Sequence, residues 1–92
     1  MEIIICDDNL SERSLMIDYI LKWSSEKHLE IQINTCKDWM ELAAALEGRE
    51  WDIVIVSLDG VRGLDTASSA QPLSRRLIWI SDLDFGVQAY RM

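Results

Sequence analysis

The chain has 92 residues, of which 49% are hydrophobic and 27% charged, and its net charge is −7. That is the balance of one soluble globular domain with a single modest core. No basic run is longer than Arg75-Arg76, so no nucleic-acid footprint is expected. No apolar stretch nears the ~20 residues that span a bilayer, so no membrane role is expected either.

Met1 is followed at once by Glu2 and the apolar run Ile3-Ile4-Ile5, a strand with both faces buried. No cleavable leader is read there, and the cytosol is the default location. Cys6-Asp7-Asp8-Asn9 closes the strand, and Asp8 or Asn9 can cap the helix that follows. That helix is expected from about Leu10 to Trp23, with Leu10, Ile17 and Leu21 inward and Ile20 on the flank. Ser24 to His28 reads as a polar connection. Glu30 to Cys36 alternates, with Ile31, Ile33 and Thr35 on one side, the pattern of a half-exposed edge strand. Lys37-Asp38 opens a second helix with Trp39, Leu42, Ala43 and Leu46 inward, and Gly48 stops it.

Trp51 to Gly60, WDIVIVSLDG, is the stretch around which the rest is organised. Ile53 to Val56 is an unbroken apolar run of β-branched residues, expected to be a central strand covered on both faces. In an open parallel sheet ligands collect where strands end, so any chemistry is expected at Ser57 to Asp59. Gly60 to Gly63 reads as a turn and Leu64 to Ala70 as a short helix of small residues, ended by Pro72. Arg76 to Ile80 is a further strand closing on Ser81-Asp82. Asp84 to Met92 reads as the start of a helix with Phe85, Val87 and Tyr90 apolar. Strands alternating with helices predict parallel βαβ units with right-handed crossovers.

Cys6 and Cys36 are the only cysteines and His28 the only histidine. Neither cysteine belongs to a CxxC pair, and one His cannot complete a metal set. They read as small buried thiols at strand ends. A disulfide could join them if their strands are neighbours, although a cytosolic location argues against it. The four Trp are dispersed and read as packing residues.

In this order the pieces resemble a known family, the receiver domain of bacterial two-component response regulators. The first strand with Asp7-Asp8 is similar to that family's IxIxDD, and Trp51-Asp52 before IVIV to its third strand. Arg62 to Ala67, RGLDTA, is similar to its DGLExA, and Ile78-Trp79-Ile80-Ser81 to its fourth strand with a terminal Thr or Ser. Asp84 to Arg91, DFGVQAYR, resembles its next helix. The wording is nearest to receivers joined to LytTR-type DNA-binding domains. The resemblance implies a three-layer, flavodoxin-like α/β/α fold with a parallel sheet in the order 2-1-3-4. It also implies a cytoplasmic signalling module that meets a histidine kinase or an output domain.

The family's chemistry needs an acidic pair for Mg²⁺, an Asp nucleophile ending the third strand, a Thr or Ser on the fourth and a Lys after the fifth. An ionised carboxylate attacks the phosphoryl group while Mg²⁺ offsets the charge on its oxygens. The resemblance places the acidic pair at Asp7 and Asp8, the switch hydroxyl at Ser81 and the acceptor position at Ser57. A Ser hydroxyl is neutral and a poor nucleophile without an adjacent base. Asp59, with the same strand parity as Ser57, is the alternative acceptor and the third contributor to a weak Mg²⁺ site. The loop after Ser57 is shorter than the family's and lacks its Pro. The sequence runs out before a fifth strand and its Lys, so residues 1–92 read as a receiver-like domain incomplete at its C-terminal end. The expectation is a non-enzymatic pseudo-receiver that does not accept phosphate at the usual position and works through protein contacts. The bare apolar edge of the fourth strand predicts a homodimer or strand-swapped assembly. A flavodoxin-like ligand-binding domain is the alternative of another class. Its phosphate-cradling loop would want Gly, Ser and Thr where this chain has CDDN.

Overall fold

The computed structural model describes residues 1–58, 60–83 and 86–91, and for residues 60–62, 81–83 and 86–91 the backbone alone. Its elements are β1 (Glu2–Asp7), α1 (Leu10–Glu26), β2 (Gln32–Cys36), α2 (Trp39–Glu47), β3 (Ile53–Ser57), α3 (Gly60–Ala70), β4 (Leu77–Leu83) and β5 (Gly86–Arg91). A single 3-10 turn, Gln71–Leu73, joins α3 to β4 and carries Pro72 at its start. The sheet order is β2-β1-β3-β4-β5. The first four strands are parallel and stand in the expected order 2-1-3-4, with β2 at the edge.

The apolar strands β1 and β3 lie inside the sheet, where both of their faces are covered. Ile3, Ile5 and Ile55 turn to one side, where Met16, Ile17 and Ile20 of α1 cover them. Ile4, Cys6, Val54 and Val56 turn to the other, against Leu42 and Leu46 of α2 and Ala67 and Ala70 of α3. Each fully buried Ile or Val contributes roughly 1.5–3 kcal/mol by removing its surface from water. At the start of the sheet Asp52 ties β3 to β1. The Glu2 N–H donates to Asp52 Oδ2 at 2.7 Å, and the Asp52 N–H donates to the Glu2 carbonyl at 2.9 Å.

The helix ends follow capping chemistry. Asn9 accepts from the Glu12 N–H at 3.0 Å and Asp38 from the Glu41 N–H at 2.9 Å. α1 runs three residues beyond the expected Trp23 and ends in a Schellman motif. The Leu29 N–H donates to Ser24 O and the His28 N–H to Ser25 O, with His28 at φ 55°. Of the residues expected inward on α1, Leu10 and Leu21 are exposed, and Met16 takes a packing position beside Ile17 and Ile20. One helix stripe covers β1 and β3, and Leu10 and Leu21 lie to its sides.

Three expectations are corrected in the second half. Gly60 to Gly63 is not a turn: α3 begins at Gly60 and takes in Gly63. Helix is possible there because Gly63 meets the Leu58 carbonyl where no side chain fits. β4 extends to Leu83, so Ser81 and Asp82 lie within the strand and not beyond its end. The segment expected to be helical is β5, antiparallel to β4 from Leu83↔Gly86 to Ile78↔Arg91. Gly86 is a poor helix former, and the open edge of β4 offers a full ladder of hydrogen-bonding partners. Asp84, Phe85 and Met92 of that expected helix lie outside the described residues. The sheet thus has a fifth strand, though not the parallel one the resemblance implies. The bare β4 edge that motivated a dimer is occupied by the chain itself. Among the described residues no helix is long and apolar enough to cross a membrane.

Candidate functional site

The C-terminal ends of β1 and β3 bring Asp7 and Ser57 side by side as in-register partners. This is the neighbourhood to which the expected acidic pocket and acceptor position belong. Asp7 is fully buried, although Asp almost never is without a partner. Its Oδ1 accepts from the Asn9 N–H at 2.8 Å, while Oδ2 is buried with no hydrogen-bond partner. An orphaned buried carboxylate oxygen is costly. Burial is the main reason the Asp7 carboxyl titrates above its ordinary value of 3.8, with the Asp8 charge adding to the effect. The Asn9 N–H, the Ser57 hydroxyl and Glu12 oppose it.

Asp8, by contrast, is exposed. The expected pair is therefore split by environment into one desolvated acid and one solvated acid. Asp59, the alternative acceptor and third expected metal contact, lies outside the described residues. Among the described residues no group of three or more His, Cys, Asp or Glu could hold a metal ion. The fit to Mg²⁺ is partial, with one unpartnered hard oxygen on Asp7 and a neighbouring exposed acid.

Leu58 follows directly on the end of β3. It is buried, and its carbonyl accepts from the Trp79 indole N–H of β4 at 3.3 Å. A Cβ on Gly63 would stand 1.7 Å from Leu58 O and 2.8 Å from Trp79 Nε1. Trp79 was legible as an apolar strand residue, but its grip on this loop was not. A Trp alternating into a core does not announce which carbonyl its N–H will find. Ser81 follows two residues after Trp79 and pairs through its backbone with Gln88 of β5. The role of its hydroxyl lies outside what is described.

Two surface grooves among the described residues lie at the opposite end of the sheet. Met1, Glu2, Glu30, Ile31 and Gln32 line one, and Glu50, Trp51 and Pro72 to Arg75 the other. Neither reaches Asp7 or Ser57. In comparisons with known proteins the chain matches no family model, no curated protein and no solved structure.

Proposed function

We propose that the chain is a receiver-like signalling module that does not take phosphate at the tip of its central strand and signals through protein contacts. The observation that carries this reading is the in-register pairing of the buried Asp7 with Ser57. A phosphoryl-accepting strand end needs an ionised carboxylate beside the acidic pair. Ser57 supplies a neutral hydroxyl in that place. Asp7 and Asp8 would hold Mg²⁺ weakly, and no group transfer passes through it. The contacts would be made to a kinase or an output domain.

The test is incubation with acetyl phosphate and Mg²⁺ followed by intact mass measurement. The native chain is expected to gain nothing, and Ser57→Asp to gain one phosphoryl group. A gain on the native chain that disappears in Asp59→Ala overturns the silent acceptor in favour of Asp59. A Ser57→Asp chain that folds, yet stays unmodified, overturns the receiver reading itself.

A further inference from the structure

β1 and β2 place Cys6 and Cys36 directly opposite one another as in-register partners. In-register residues on adjacent parallel strands point to the same face, and both cysteines belong to the same core cluster. Both are free and buried. The neighbouring Cys6 thiol and burial push the Cys36 thiol up from its ordinary range. Neighbouring strands run about 4.8 Å apart, inside the roughly 4.4–6.8 Å between Cα atoms that a disulfide bridges. Cys36 is also the last residue of the edge strand, and exposed Lys37 follows it. Fraying of that corner would admit a small reagent without opening the middle of the sheet.

We propose that Cys6 and Cys36 form a reversible dithiol–disulfide couple that locks the edge strand β2 onto β1. The oxidant is a small-molecule disulfide. One cysteine, as thiolate, attacks a reagent sulfur, forms a mixed disulfide and releases one reagent thiol. The other cysteine, as thiolate, attacks the protein sulfur of that mixed disulfide and releases the second reagent thiol. The chain loses two hydrogens, which leave on the two reagent thiols. The bridge ties residue 6 to residue 36 across the one ladder that holds β2. It also ends beside Asp7, the next residue along β1. The couple stands on sheet register, and it holds whether or not the chain is a receiver.

The experiment equilibrates the folded 92-residue chain with glutathione buffers of increasing disulfide fraction, blocks remaining thiols with N-ethylmaleimide and measures intact mass. Expected is a monomer that loses two hydrogens and takes up no maleimide, with the Cys6 and Cys36 peptides linked in a non-reduced digest. The oxidised chain is expected to unfold at higher urea than the reduced one, and Cys36→Ser to lose the closed form. Because that variant removes a core residue, the native chain is also treated with phenylarsine oxide, which bridges two adjacent thiols. One equivalent is expected to block both maleimide sites. Two glutathione adducts per chain, disulfide-linked dimers, or two free thiols at every ratio while the urea-unfolded chain oxidises would each overturn the couple. A lower urea midpoint on oxidation would overturn the lock.

Discussion

The Trp79 indole donates to the Leu58 carbonyl across the floor of the β3–α3 loop, and Gly63 sits against both groups. This three-residue contact fixes how α3 leaves the central strand. A methyl group at position 63 would collide with backbone, which cannot swing aside as a side chain can. Gly63→Ala is therefore expected to cost more than about 2 kcal/mol, in the range of overpacking in a well-filled core. Gly48 provides the control. A Cβ there meets nothing within 4 Å, and its φ of −100° suits any L residue. Gly48→Ala is expected to be neutral or to stabilise by up to about 1 kcal/mol. Urea unfolding of the two variants checks both values.

Asp7 sets a pH dependence whose sign follows from its burial. Its folded-state pKa lies above the unfolded value of 3.8, so between those two the folded chain binds more protons than the unfolded one. The contribution of Asp7 to stability is then fully present below the unfolded value and is lost as pH rises through the folded value. Asp7→Asn removes the buried charge and keeps an acceptor for the Asn9 N–H. It is expected to be more stable than the native chain at pH 7, with the difference vanishing at the acid end. Chemical denaturation of both chains from pH 3.5 to 8 tests this. An advantage for Asp7→Asn that grows toward acid would contradict it.

Ser57→Asp puts a second carboxylate next to a buried one. In a chelator-treated sample it is expected to destabilise by about 1–3 kcal/mol, the cost of crowding like charge into a poorly solvated position. Millimolar Mg²⁺ is expected to recover part of that loss, because a divalent cation binding only the folded state stabilises by mass action. Melting temperatures with and without Mg²⁺ read the effect, and the native chain should respond less than the variant.

His28 occupies the left-handed position after α1 with φ 55°. A Cβ is penalised there and glycine is not. His28→Gly is expected to stabilise the chain by roughly 0.5–1 kcal/mol, seen as a higher urea midpoint, while His28→Val is expected to lower it.

The parallel part of the fold was legible because its signals are local and redundant. Ile3 to Ile5 and Ile53 to Val56 can bury both faces only in the middle of a sheet, and the alternation of Ile31 and Ile33 marks an edge. Asp7 and Ser57 could be placed at strand ends for the same reason, while the resemblance alone made those strands neighbours. Less legible was what depends on a distant partner. Gly60 and Gly63 read as a turn because glycine usually marks one, whereas the close approach of Leu58 explains Gly63. Gly86 to Arg91 carried enough apolar residues for a helix, and the unpaired edge of β4 decided for a strand. The split between buried Asp7 and exposed Asp8 is equally invisible in two adjacent identical letters.

The middle of the sheet joins Ile3 to Ile53, and that separation matters during synthesis. At roughly 5–20 residues per second, β1 emerges some seconds before its central neighbour exists. Until then its isoleucines have only α1, β2 and α2 for company. A ribosome-bound chain stopped before β3 should accordingly recruit a holdase chaperone, and one that has released β3 should shed it.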